Sequence, residues 1–341
     1  MTTDVEVSRT PLIVLVNLGT PEAPTSPAVR RFLREFLSDR RVIGLPRAVW
    51  LPVLNGIILA VRPRRSARLY SSIWEESGSP LMTQSESLTQ LVDAELGEAA
   101  EARLAMTYGR PSVAEVLDQA VVEDPQRPIL VLPLYPQYAG SSSGAVHDAV
   151  CRWGLSTVPH PDLRLLPSFP SDPGYLDAVA AGIRAHWEAV GPLDPDAGER
   201  LILSYHGIPV SHVRAGDPYP DECAATTRGL VDRLDVDPAA ILTTYQSKFG
   251  PGAWLTPATI DTVAELGARR TPRVDMVAPG FAVDCLETLE ELNKLNRHTF
   301  TDAGGGDFHY IAWSRENSTW VRALATLLIG QVRGESPIAL P

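Results

Sequence analysis

Short aliphatic runs, each closed by Gly or Pro, alternate with amphipathic stretches along nearly the whole chain. This rhythm constrains the fold more than any other feature. "PLIVLVNLG" (11–19) is apolar at almost every position, as a strand buried on both faces of a parallel sheet must be. "SPAVRRFLREFLSD" (26–39) follows, with Val29, Phe32, Leu33 and Phe36 on one side at helical spacing. "RLAMTYG" (103–109) and "ILVLPLYP" (129–136) predict two more strands. Between them Ser112 and Glu115 stand at capping-box spacing at the head of "SVAEVLDQAV" (112–121). "SGAVHDAVCRWGL" (143–155) is the next helix.

A second series starts near residue 160, with a strand in "DLRLLPSF" (162–169) and a helix over 174–190. After the linker "GPLDPDAGER" (191–200), strands at 201–207, 241–247 and 274–281 alternate with helices at 222–234, 258–268 and 284–295. The chain of 341 residues exceeds one ordinary core. The expected fold is α/β: two doubly wound, Rossmann-like domains, each a parallel sheet flanked by helices, with a cleft between them. The expected domains are 10–160 and 161–316, and the helix 317–332 is expected to return to the first.

Composition narrows the function. A net charge of −11 argues against a nucleic-acid surface, which needs clustered Lys and Arg. Three cysteines, Cys151, Cys223 and Cys285, make no disulfide framework and cannot supply the four thiolates of an ordinary iron–sulfur cluster. "MTTDVEVSRT" lacks the basic start and apolar core of a signal peptide, so a cytoplasmic protein is expected. "AVWLPVLNGIILAV" (48–61) is too short to span a bilayer, which takes about 20 apolar residues, and Pro52 and Asn55 interrupt it. Two readings stay open: a half-buried helix, or an apolar lip beside a pocket or membrane surface. No G-x-x-x-x-G-K-[ST], strand-linked G-x-G-x-x-G, G-x-S-x-G or H-E-x-x-H is present.

The strands end in "NLGTP", "TYGRP", "LYPQY", "SYHGIP", "YQSKFGP" and "APGF". Ligands of open α/β sheets bind beyond these carboxyl ends. His206 stands at one of them, where it can accept a proton or ligate a metal. In "DCLETLEEL", Asp284, Glu287 and Glu291 recur at three and four residues, so a helix there would show them on one face. Such a ridge is either solvated surface or, beside a histidine, a path for protons or a divalent cation. "LYPQYAGSSSGAV" (134–146) offers Tyr138, Ser141 and Ser142 before a helix, where hydroxyls and free N–H groups suit a carboxylate. Trp254 and Phe281, in Gly/Pro loops, suit stacking on a flat ligand or anchoring of the loops.

Together these stretches resemble the ferrochelatase family, which inserts Fe²⁺ into a porphyrin. The resemblance runs through "VNLGTPEAPT", "FLSDRRV", "SGSPL", "MTYGRPS", "VLPLYPQY", "SYHGIP", "GDPYPDEC", "QSKFGPGAWL" and "PGFAVDCLETLEEL", in that order over nearly the whole chain. It implies that His206 takes a pyrrole proton, contacts the metal, or both. It implies that Glu287 is the second metal contact, with Glu291 and Asp284 continuing an acidic path. Leu18, Tyr108, Tyr138, Ser141, Ser142, Trp254 and Phe281 would line the porphyrin site. Relatives with a [2Fe–2S] cluster carry a cysteine where Gly140 stands and others in a C-terminal extension, so no cluster and no permanent cofactor are expected here. Leu18 occupies a position where some relatives have Tyr or Met, which favours protoporphyrin IX over coproporphyrin III. A monomer is expected, with porphyrin and ferrous iron as substrates and peripheral membrane contact through 48–61. A non-catalytic tetrapyrrole- or metal-binding protein, or a cobalt-inserting enzyme of corrin synthesis, is the alternative on the same fold.

Overall fold

The computed structural model describes residues 9–158, 161–250, 252–313 and 317–334. Most of the decapeptide read for a signal, and the end of the C-terminal tail, lie outside them. Among the described residues eight strands form two parallel sheets: β1 (Leu12–Asn17), β2 (Glu101–Met106), β3 (Ile129–Pro133), β4 (Leu163–Leu165), β5 (Arg200–His206), β6 (Ile241–Gln246), β7 (Arg273–Val277) and β8 (Asp307–Tyr310). Their orders are β2-β1-β3-β4 and β6-β5-β7-β8. The two halves thus share one doubly wound topology without sharing sequence. Every residue of β1, β3 and β7 is buried, because helices cover both faces.

β4 pairs with β3, Ile129 opposite Leu163. The strand expected to open the second series therefore closes the first sheet, so that sheet runs past the expected boundary between residues 160 and 161. Three apolar residues at an edge carry no sign of which sheet they will join. β8, too polar to stand out in sequence, adds the fourth strand of the second sheet. One continuous core joins the sheets. Ile13, Leu15 and Leu132 of the first and Leu201, Leu203 and Tyr205 of the second share it with Tyr175, Trp320 and Leu324. Tyr175 and Trp320 lie on the helices Pro173–Val190 and Ser318–Arg333, which pack against each other. The last helix also packs on the helix Pro80–Leu96.

Local chemistry accounts for the ends that matter. Ser112 Oγ accepts from Glu115 N, and Ser112 N donates to the Glu115 carboxylate, the expected capping box. β1 stops at Asn17, whose side-chain oxygen accepts from Leu18 N at 2.8 Å. Tyr108 N then donates to Leu18 O, stitching the loops after β1 and β2 together.

The stretch 48–61 is a half-buried helical segment. It runs as the helix Arg47–Val53, a π-helical turn Leu54–Ile58 and the start of the helix Leu59–Ser71. Trp50, Leu54 and Leu59 are buried on one side, while Val49, Ile57 and Val61 are 60%, 60% and 70% exposed on the other. No helix among the described residues is long and apolar enough to cross a membrane.

Candidate active site

The carboxyl ends of β5 and β7 are neighbours at the point where the second sheet reverses its strand order, the usual place for a ligand. His206, half-buried, ends β5. Its Nδ1 lies 2.8 Å from Gly207 O. A carbonyl can only accept, so Nδ1 carries the proton and Nε2 keeps a free lone pair. Gly207 must be glycine: a Cβ there would meet Gln246 O at 2.8 Å, while Trp254 Cε3 already stands 3.5 Å from that point. Trp254 thus covers the turn beside His206.

After β7, residues 278–286 cross to a nine-residue π-helix, Glu287–Leu295. π-Windings are rare and concentrate at functional sites, and their i→i+5 bonds bring positions four apart close together. Glu287 and Glu291 accordingly interact, and Glu291 lies near enough to His206 to be stabilised as a carboxylate when the imidazole takes up a proton. Glu291 accepts from Ser247 N at 2.8 Å and from Ser247 Oγ. Ser247 holds a left-handed φ of 63°, a strained conformation that turns both donors toward the carboxylate. Burial pushes the Glu291 carboxyl up from its ordinary value, against the pull of the Ser247 donors and of His206. A carboxyl so placed is suited to hold and release a proton nearer neutrality.

Asp284 departs from the expected ridge. It precedes the helical winding and is buried; its carboxylate accepts from Thr288 Oγ1 at 2.8 Å and Tyr310 OH at 2.6 Å. The three-residue spacing suggested a shared face only on the assumption of an α-helix starting at Asp284.

Glu287 lies on the wall of an open cleft of ≈ 530 Å³, mouth included, with Leu18, Gly19, Thr20, Phe32, Phe36, Arg62, Tyr70 and Leu286 around it. Arg62 is the feature that sequence reading missed. Its Nη1 is buried without a hydrogen-bond partner. Burial lowers its pKa from the ordinary value, and the Glu287 charge opposes this. Its guanidinium stacks 4.6 Å from the ring centre of Phe249, joining the first half of the chain to the loop after β6. The arginine cluster 62–68 was the only available signal, and an arginine run usually means solvated surface.

The other expected lining residues divide. Leu18 is on the wall. Tyr108 is buried behind it, edge-on to Phe36, with its hydroxyl donating to Asp39 at 3.0 Å. It supports the cleft rather than facing it. Tyr138, Ser141 and Ser142 are half-buried in the loop after β3. Ser142 precedes the helix Ser143–Gly154 but makes no side-chain cap. The second half of the chain clamps this loop, since Glu222 accepts from Tyr138 N at 2.6 Å and Asp217 from Gly140 N at 2.8 Å. Both carboxylates come from "GDPYPDEC", which gave no hint of that role. Phe281 packs between the β7 core and the Leu81–Met106–Cys285 cluster. Burial pushes the Cys285 thiol up, so it stays protonated.

Solved structures share this architecture. SirB from Bacillus subtilis with Fe³⁺ superposes with a TM-score of 0.57 at 10% identity, covering 96% of this chain and 97% of that one. A SirB sirohydrochlorin chelatase in complex with cobalt gives 0.54 at 11% identity, with 96% and 97% covered. The fold is therefore that of the chelatases. The ferrochelatase family model matches residues 12–332. The ferrochelatase of Methylibium petroleiphilum is 46% identical over 94% of this chain and 88% of its own. That of Methylobacillus flagellatus is 40% identical over 96% and 95%. The chain belongs to the ferrochelatase family, and its activity is insertion of metal into a porphyrin.

Proposed function

We propose that the enzyme inserts Fe²⁺ into protoporphyrin IX, forming protohaem at the last step of haem synthesis. The make-up of the cleft wall carries this reading. Among the described residues Leu18, Phe32, Leu33, Phe36, Leu81 and Leu286 form a broad apolar surface, with Arg62 the one cation on it and Thr20, Ser66, Tyr70 and Ser79 the hydroxyls. Protoporphyrin IX has two vinyl and two propionate groups; coproporphyrin III has four propionates. An apolar wall with a single guanidinium, whose Nη1 has no hydrogen-bond partner, suits the former, because extra carboxylates would be desolvated without partners.

The ring must lose two N–H protons. A cleft that bends the macrocycle exposes its nitrogen lone pairs, using binding energy from the rest of the ring. His206 Nε2 takes a proton, and Glu287 and Glu291 pass it toward solvent. Imidazole and carboxylate also suit a divalent ion held only in transit, so ligation of Fe²⁺ by His206 and Glu287 is the second reading. Asp284, tied to Tyr310 and Thr288, holds the start of the acidic segment in place. Tyr138, Ser141, Ser142, Trp254 and Phe281 contribute to the porphyrin site. No resident cofactor takes part, since three cysteines fall short of a cluster's four thiolates. The enzyme works as a cytoplasmic monomer.

With purified protein and Fe²⁺ under anaerobic conditions, kcat/KM is expected to be at least about tenfold higher for protoporphyrin IX than for coproporphyrin III. Arg62→Leu should lower it by about 10–100-fold, the worth of a lost charged hydrogen bond. A preference for coproporphyrin III would overturn the assignment.

Val49, Ile57, Val61, Arg64 and Arg65 are exposed on the helical stretch 47–71, which also sends Arg62, Ser66 and Tyr70 to the cleft wall. This apolar, cationic lip rests on anionic bilayers and collects a poorly soluble ring from them. The wild type should sediment with anionic vesicles, and Val49→Asp with Ile57→Asp should not. Equal sedimentation of both proteins would refute this contact.

A further inference from the structure

Away from the cleft, two imidazoles converge on one buried carboxylate. Asp275, on β7, is fully buried. His309 Nδ1, from the adjacent β8, lies 2.9 Å from Asp275 Oδ1, and His186 Nε2, from the helix Pro173–Val190, lies 3.4 Å from the same oxygen. The three ligand atoms fall within 4.8 Å of one another, the only such group of His, Cys, Asp or Glu among the described residues. The cluster is distinct from the site of metal insertion. Asp275 pairs with Leu201, five residues before His206, which puts it about 16 Å back along the strand.

Charge pairing alone does not account for this arrangement. Arg273 already pairs with Asp275 through Nε to Oδ1 at 2.9 Å and Nη2 to Oδ2 at 2.6 Å, and Trp187 Nε1 donates to Oδ2 at 2.7 Å. The carboxylate needs neither histidine, yet two separate elements bring them. We propose that His186, Asp275 and His309 bind a divalent transition ion of the zinc class, with water as fourth ligand. Zinc bonds of about 2.0–2.2 Å in tetrahedral geometry separate ligand atoms by about 3.3–3.5 Å. The His186 spacing already fits, and His309 must withdraw by a few tenths of an ångström.

The surrounding charges permit it. Asp275, Glu199 and Asp307 surround the single guanidinium of Arg273, leaving two negative charges for the ion to meet. Arg273 and Trp187 orient the carboxylate, as outer partners do in protein metal sites. Each imidazole frees its lone pair by moving its proton to the other ring nitrogen. Side-chain exposures of 17% for His186 and 30% for His309 give solvent the access this needs. The bound ion ties the helix Pro173–Val190 to β7 and β8.

The test uses the full chain carrying His206→Ala and Glu287→Gln, which disables the insertion site. Equilibrium dialysis against Zn²⁺ is expected to show one ion per chain, and adding His309→Ala or His186→Gln should abolish it. The thermal midpoint of the parent should climb with Zn²⁺ concentration. X-ray absorption of the zinc-loaded parent, which needs no further substitution, should show two imidazole nitrogens at about 2.0 Å. No bound Zn²⁺, binding unchanged in a folded histidine variant, or fewer than two imidazoles would each overturn the proposal.

Discussion

His206→Ala is expected to lower the turnover of Fe²⁺ and protoporphyrin IX by about 10²–10⁴-fold, the usual worth of a positioned general base. The porphyrin KM should change little, because a group acting mainly in the transition state affects kcat rather than ground-state binding. The size of the effect follows from the tautomer. Gly207 O fixes the proton on Nδ1, which leaves Nε2 as a ready acceptor at the end of β5. Neither Glu291, already engaged by Ser247, nor the buried Asp284 is placed to substitute for it. Comparing metals separates the two roles of the imidazole. A base removes protons whichever ion enters, so Fe²⁺, Co²⁺ and Zn²⁺ insertion should fall by similar factors. A ligand's loss would instead vary with the ion's affinity for imidazole. Near-full turnover of the variant, measured from the porphyrin spectrum, would remove His206 from the mechanism.

Gly19→Ala is expected to be the most damaging small substitution, costing about 4 kcal/mol or more and falling in the rare severe class. Gly19 holds φ +105°, and a Cβ there would stand 1.8 Å from Tyr108 O. Neither atom can yield, because Tyr108 N is bonded to Leu18 O and the Tyr108 ring is wedged against Phe36. Relief would require the loops after β1 and β2 to part, and Leu18 and Thr20 on the cleft wall would move with them. Activity should therefore fall together with stability. Gly182→Ala is the control of opposite sign. Gly182 lies inside the helix Pro173–Val190 with nothing within 4 Å of its Cβ position, so alanine should add about 0.5–1 kcal/mol. Urea denaturation of the two variants and the wild type measures both effects. A midpoint for Gly19→Ala close to the wild type would show that the loops can separate freely.

Much of the fold is legible because burial on both faces leaves a strand no choice of residues. β1, β3, β5 and β7 read directly from "LIVLVN", "ILVLP", "RLILSYH" and "RVDMV". Two edge strands were less legible: β4, only three residues long, read as a strand but not as part of the first sheet, and the four-residue, polar β8 did not read as a strand at all. The site divides similarly. His206 was visible because it interrupts an aliphatic run, and Glu287 and Glu291 because they recur. Arg62 was hidden in a cluster of arginines, and nothing local tells a solvated guanidinium from a buried one.

By itself the sequence determined two parallel sheets with helices on both faces, a histidine where one strand ends and an acidic segment after another. These follow from period, burial and backbone breaks, all encoded within a few neighbouring residues. Only the tertiary structure decided that β4 closes the first sheet and that Tyr108 stands behind the cleft wall. Only it withdrew Asp284 into a buried network, set Arg62 and Glu287 on one cleft wall and gathered His186, Asp275 and His309. Each of these outcomes depends on atoms tens to hundreds of residues apart in sequence. Their energies come from desolvation and close contact, which no local pattern specifies.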